Sequence, residues 1–171
     1  MTGRVVLVLG GARSGKSQVA EAMAAATGEL VTYVATGTPV DAEADPSWAT
    51  RVTTHRSRRP AGWVTVEVDA DLPAALDGAV ACALVDSLGP WVARAPGFVV
   101  DAPALCSNLA ARRRRATTVL VSDEVGLGVV PATEIGNAFR DALGDLNRAV
   151  AAVADDVLLV VAGRTLRLDR P

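Results

Sequence analysis

The chain has 171 residues, 50% of them hydrophobic, and a formal net charge of −2. That suits one compact domain spanning residues 1–171 and gives no electrostatic reason to expect nucleic acid or an anionic membrane as partner. Its apolar segments are short and broken by Gly, Pro or charge, so none offers the ~20 residues that carry a helix through a bilayer, and membrane insertion is not expected.

Taken in order, apolar runs alternate with helical patterns, which predicts βαβ units and an α/β fold with a mainly parallel central sheet. Arg4–Leu9 is a valine-rich run ending at Gly10-Gly11 and reads as a buried first strand. Lys16–Ala26 is built of good helix formers and stops before Gly28. Leu30–Ala35 reads as the second strand, with Thr36-Gly37-Thr38-Pro39 as the loop leaving it. Asp41–Arg59 is polar and reads as partly helical, and Val64–Val68 alternates like a short strand. Val80–Val85 reads as a buried strand running into Asp86.

Pro96 to Pro103 gathers turn residues around an apolar patch, and Ala104–Arg115 reads as a helix ending in four arginines. Arg112–Arg115 are expected to be solvated there, where a helix C-terminus favours positive charge. Thr117–Ser122 is a further strand, followed by the loop Asp123–Pro131. Ile135, Phe139, Leu143, Leu146, Val150 and Val153 recur at helical spacing and mark one apolar stripe. Val157–Ala162 and Thr165–Leu168, around Gly163-Arg164, predict a closing antiparallel strand pair. Cys82 and Cys106 lie far apart and outside metal-ligand spacing, which points to reduced thiols filling core space in a cytoplasmic protein.

Gly10-Gly11-Ala12-Arg13-Ser14-Gly15-Lys16-Ser17 fits the pattern G-x-x-x-x-G-K-[ST], between a predicted strand and a predicted helix. Glycines let the backbone curl so that several N–H groups and the helix N-terminus face phosphate oxygens. Lys16, the only lysine in the chain, stands where the motif bridges terminal phosphates, and Ser17 where it ligates Mg²⁺. An acid at the end of a neighbouring strand is needed to hold that metal. Asp86 is the best placed, with Asp123 and Glu124 as the other candidates. The N-K-x-D guanine reader of regulatory GTPases is excluded, because it needs a second lysine.

His55, the only histidine, lies among Arg56, Ser57, Arg58 and Arg59. Neighbouring positive charge favours the neutral imidazole, which can attack phosphorus, while guanidiniums can clamp the phosphates under attack. A solvated basic helix face is the competing reading from composition.

With these residues in hand, the chain resembles the bifunctional adenosylcobinamide kinase/adenosylcobinamide-phosphate guanylyltransferase family over nearly its whole length. The resemblance is carried by Gly10–Ser17, Tyr33-Val34-Ala35-Thr36-Gly37, His55–Pro60 with Trp63 and Glu67, and Asp86-Ser87-Leu88-Gly89-Pro90-Trp91. It continues through Glu124–Pro131, Phe139-Arg140-Asp141, Leu146-Asn147 and Val160-Val161-Ala162-Gly163. The chain departs from the family at Asp123, where Asn is more frequent, and at Ala93-Arg94.

The resemblance implies a three-layer P-loop NTPase fold and a homotrimer. It also implies two reactions: phosphorylation of adenosylcobinamide by ATP or GTP, then GMP transfer from GTP to adenosylcobinamide phosphate through a guanylylated His55. It implies that Gly10 to Ser17, Thr36, Gly37, Thr38, Arg56 to Arg59, Glu67 and Asp86 bind the nucleotide. A single-activity kinase for another small metabolite and a nucleotide-switched binding protein are the alternatives.

Overall fold

Alternating apolar residues build a sheet with two buried faces. The structure, a computed structural model, describes residues 3–37, 59–68 and 70–170. Its strands are β1 (Val5–Gly10), β2 (Val31–Ala35), β3 (Val64–Glu67), β4 (Cys82–Asp86), β5 (Thr118–Asp123), β6 (Asp156–Val161) and β7 (Arg164–Arg167). They form one 7-stranded sheet in the order β3-β2-β4-β5-β1-β6-β7. Every neighbouring pair is parallel except β6 with β7. This is the α/β architecture expected, antiparallel C-terminal pair included.

The helices among the described residues are α1 (Lys16–Ala25), α2 (Leu72–Asp77), α3 (Leu88–Arg94), α4 (Ala102–Arg112) and α5 (Glu134–Val153). On β1, Val6 and Val8 join Ala20 and Ala24 of α1 in one core cluster. Val5 and Leu7 join the other cluster, with Leu72, Leu88, Leu109 and Leu143 from α2, α3, α4 and α5. Period-2 alternation thus feeds both faces, giving three layers with α1 alone on its side among the described helices. Each fully buried leucine contributes about 1.5–3 kcal/mol to this packing.

Several boundaries differ from the sequence reading for identifiable reasons. Helices α2 and α3 were not anticipated, since each is short and lacks a full apolar period. The Asp71 side chain caps α2 by accepting from Ala74 N at 2.9 Å. Helix α4 begins at Ala102, before the expected Ala104, because Asp101 caps it and Pro103 fits a first-turn position. Val80 is 85% exposed and β4 starts at Cys82. Ile135 of the α5 stripe faces outward, whereas Leu143, Leu146 and Val150 are buried.

The expected solvation of the four arginines is wrong at Arg112, whose side chain is fully buried. It sits among carbonyls of the α2–β4 connection and so bonds to backbone instead of water.

Candidate active site

The parallel strands end together on one edge, and ligands of open α/β sheets bind outside such carboxyl ends. Register places Gly10 of β1 beside Asp123 of β5, and Ala35 of β2 between Glu67 of β3 and Asp86 of β4. Most of the residues singled out from sequence therefore converge by topology. Thr38, His55, Arg56, Ser57 and Arg58 lie outside the described residues, as does the Asp41–Arg59 segment up to position 58.

The turn Gly10–Ser17 links β1 to α1. Gly15 has φ 92°, a left-handed conformation that a side chain strains, and a Cβ there would meet Gly163 Cα at 3.3 Å. Arg13, with φ 58°, makes a second left-handed step in the same turn. The Ser14 carbonyl accepts from Gly163 N at 2.8 Å, so the β6–β7 turn props the loop from behind. The N-cap residue Gly15 brings no side chain to α1, Ser14 Oγ accepts from Lys16 N at 3.3 Å, and no acid occupies the first turn. The helix leaves backbone N–H groups and its positive dipole end facing the loop, where an anion is stabilised.

Ser17 and Tyr33 meet on the Asp86 carboxylate. Ser17 Oγ donates to Asp86 Oδ1 at 3.3 Å, and the Tyr33 hydroxyl donates to Oδ2 at 2.7 Å. Burial first, and the Asp86 carboxylate second, push the Tyr33 phenol well above its ordinary range, with Arg59 opposing. Tyr33 therefore stays a donor and holds the carboxylate turned towards Ser17. The peptide that follows, Asp86–Ser87, is cis, and the Thr36 hydroxyl donates to the Ser87 carbonyl. Gly37 follows Thr36 at the end of the described segment.

Lys16 Nζ donates to the Gly11 carbonyl at 3.2 Å and pairs with Asp123 Oδ1 at 2.7 Å. Of the two other candidate acids, Asp123 thus meets the lysine and not the serine. Glu124 turns onto its own loop, accepting from Gly126 N and Leu127 N.

On the β3 side, Arg59 lies over the Tyr33 ring, its guanidinium carbon 3.4 Å from the centroid, and Arg59 Nη1 donates to Thr65 Oγ1 at 3.1 Å. An open groove of about 440 Å³ is lined by Arg59, Pro60, Ala61, Trp63, Thr65 and Glu67. Tyr33 links the groove to the cradle, touching Arg59 with its ring and Asp86 with its hydroxyl. The Trp63 ring completes that wall, 6.5 Å from Tyr33 between centroids.

Sequence reasoning assigned no role to Tyr33 or Asn147. The first meets its partner 53 positions away, and Asn147 Nδ2 donates to the Asp123 carbonyl from 24 positions away. No local signal carries such pairings. The departure at Arg94 also has a structural partner, since its Nη2 donates to Val68 O at 2.5 Å beside the Trp91 Nε1 bond to Ala70 O.

The solved structures that the chain resembles include the flagellar accessory protein FlaH from Methanocaldococcus jannaschii, with TM-score 0.52 and 13% identity over 96% of this chain and 75% of that one. They also include the PH0250 protein of Pyrococcus horikoshii OT3, with TM-score 0.57 and 8% identity over 97% and 86%. At such identities these show a shared fold. Sequence relatives are nearer. The bifunctional adenosylcobalamin biosynthesis protein CobP of Pseudomonas aeruginosa is 39% identical over 95% of both chains. CobU proteins of the same description from Salmonella typhimurium and Escherichia coli are each 36% identical over 93% of this chain and 96% of theirs. The family profile described as "Cobinamide kinase / cobinamide phosphate guanyltransferase" matches residues 6–168. With that profile spanning the strand edge and everything built on it, the chain belongs to the cobinamide kinase/cobinamide phosphate guanyltransferase family.

Proposed function

We propose that this chain, working as one domain over residues 1–171, carries out two successive reactions of cobalamin biosynthesis. In the first, the γ-phosphoryl group of ATP or GTP passes to the aminopropanol hydroxyl of adenosylcobinamide. In the second, a His55 ring nitrogen attacks the α-phosphorus of GTP: a P–N bond forms, the α–β phosphoanhydride bond breaks, and pyrophosphate leaves. A phosphate oxygen of adenosylcobinamide phosphate then attacks the same phosphorus, the P–N bond breaks, and adenosylcobinamide-GDP is released with the imidazole free again.

The observation that carries this reading is the Gly10–Ser17 cradle, with left-handed Arg13 and Gly15 and no acid in the first turn of α1, on the strand edge of a chain matching the family from residue 6 to 168. Backbone N–H groups of Gly11 to Ser17 and the Lys16 ammonium hold the phosphates. Thr36, Gly37, Thr38, Arg56, Ser57, Arg58, Arg59 and Glu67 complete the nucleotide site. Ser17 and Asp86, whose oxygens converge at 3.3 Å beside the cradle, suit a hard cation, and Mg²⁺ bound there would neutralise charge developing on the phosphates. Tyr33 keeps Asp86 facing Ser17 in that arrangement. The working assembly is a homotrimer in the cytoplasm. Its partners are the corrinoid substrates, with no call for nucleic acid or a membrane; no described helix is long and apolar enough to cross one.

Incubation with α-labelled GTP should leave acid-labile label on the protein with release of pyrophosphate. His55→Ala should abolish the label while nucleotide binding persists. Label retained by that variant would remove His55 from the chemistry. Phosphoryl transfer to an acceptor without pyrophosphate release would leave a single-activity kinase.

A further inference from the structure

Lys16 is the only lysine in the chain, and its ammonium has two protein partners. Nζ lies 2.7 Å from Asp123 Oδ1 and 3.2 Å from the Gly11 carbonyl oxygen, which occupies two of its three N–H donors. The backbone that carries Asp123 is held from two directions. Register sets Asp123 beside Gly10, and Asn147 of α5 donates to its backbone carbonyl at 3.0 Å. Gly89 of α3 makes the room: a Cβ at that position would lie 2.8 Å from Asp123 Oδ2. The lysine side chain is 13% exposed and that of Asp123 36%, so the pair is partly withdrawn from water and less screened than a surface ion pair.

A triphosphate in the cradle needs the same ammonium, and it brings negative charge to the place where Asp123 already stands. We propose that Asp123 is a positioning residue that holds Lys16 in the nucleotide-free cradle and yields it when a triphosphate binds. Asp123 thereby lowers nucleotide affinity through the lysine, because binding gains only the difference between the two partners. The inference rests on the reading of the cradle as a triphosphate site.

The sole lysine makes the test direct. Protein labelled with ¹³Cε,¹⁵Nζ-lysine gives one lysine side-chain signal. Asp123→Asn should shift that signal in the free protein, and wild type and variant should converge at saturating Mg·GTP. Calorimetric titration with Mg·GTP should show the variant binding about tenfold tighter, the order expected for removing one partly desolvated competing ion pair. Gly89→Ala, which crowds the carboxylate while leaving Asp123 in place, should shift the signal and the affinity in the same direction. Coincident free-state signals, a difference that persists at saturation, or unchanged or weaker binding in both variants would overturn the proposal. Absence of Mg·GTP and Mg·ATP binding in wild type and variants alike would overturn the triphosphate reading itself. That failure is recognisable because the free-state shift is measured without nucleotide.

Discussion

A guanidinium buried away from water is tolerable only where acceptors surround it, and Arg112 has such surroundings. Nη1 donates to the Leu76 and Ala79 carbonyls at 2.7 Å each, Nη2 to the Ala81 carbonyl at 2.8 Å, and Nε to Thr118 Oγ1 at 3.1 Å. Burial, with Arg115 adding to it, pulls its pKa down, yet an arginine remains charged in proteins. The side chain therefore ties the α2–β4 connection to β5 with charge-assisted bonds, each stronger than a neutral one. Arg112→Met should remove those bonds and take the arginine donor from the buried Ala79 carbonyl, while Leu76 O keeps the Ala79 N–H. We expect a loss of about 3 kcal/mol or more, read as a lower urea midpoint with an unchanged slope. Arg112→Lys, with fewer donors and no planar fork, should recover only part of it. Arg113, by contrast, pairs with Asp155 at 3.1 Å on a half-exposed surface, where the contribution is small.

At the scale of elements, what the sequence made legible follows the range of the interactions. The cradle was legible because its glycines, Lys16 and Ser17 are contiguous and flanked by a strand and a helix. The long helix α5 was legible through its period, and β6–β7 through the turn signal at Gly163, although the turn itself is Ala162-Gly163 and Arg164 already belongs to β7. The short helices α2 and α3 were not, since their cores are completed by partners distant in sequence. The same holds within the site. Asp86 could be ranked as a strand-end acid, but the Tyr33 hydroxyl on it and the Asp123 carboxylate on Lys16 exist only once the strands are in register. Arg112 and Arg113 are adjacent and identical in type, and only packing separates the buried one from the exposed one.

The cradle also depends on a distant element, for the β6–β7 turn supports it through the Ser14–Gly163 bond. Gly15→Ala would force a Cβ into a left-handed residue and against Gly163 Cα at 3.3 Å. The strain should be about 1–2 kcal/mol. Thermal unfolding should show a modest drop, while titration with Mg·GTP should show a larger loss, because the displaced loop is the one proposed to aim N–H groups at phosphate. Unchanged Mg·GTP binding beside a loss of stability would mean that the loop carries the strain without changing its shape.

For the whole molecule, burying both faces of one sheet has a consequence at high pH. Cys82 on β4 is fully buried, and burial pushes its thiol from an ordinary 9.0 up to about 11. Tyr33 on the neighbouring strand β2 is moved in the same sense, first by burial and then by Asp86. In the unfolded chain both groups would titrate at ordinary values, so above about pH 9 the unfolded state begins to lose protons that the folded state keeps. The folded state then binds more protons, and stability must fall as pH rises. The thiol's contribution is fully present below pH 9 and is lost as pH approaches 11, an effect of about 2–3 kcal/mol, with Tyr33 extending the decline upward. Urea midpoints at pH 8, 9, 10 and 10.5 should therefore fall progressively beyond pH 9. Cys82→Ala should start from a lower midpoint, because it opens a small cavity, yet decline less steeply between pH 9 and 10. A variant that declined as steeply as wild type would assign the alkaline limb to other groups. The same burial should make Cys82 slow to react with a thiol reagent in the folded state, at a rate limited by opening of the sheet, whereas the half-buried Cys106 should react ahead of it.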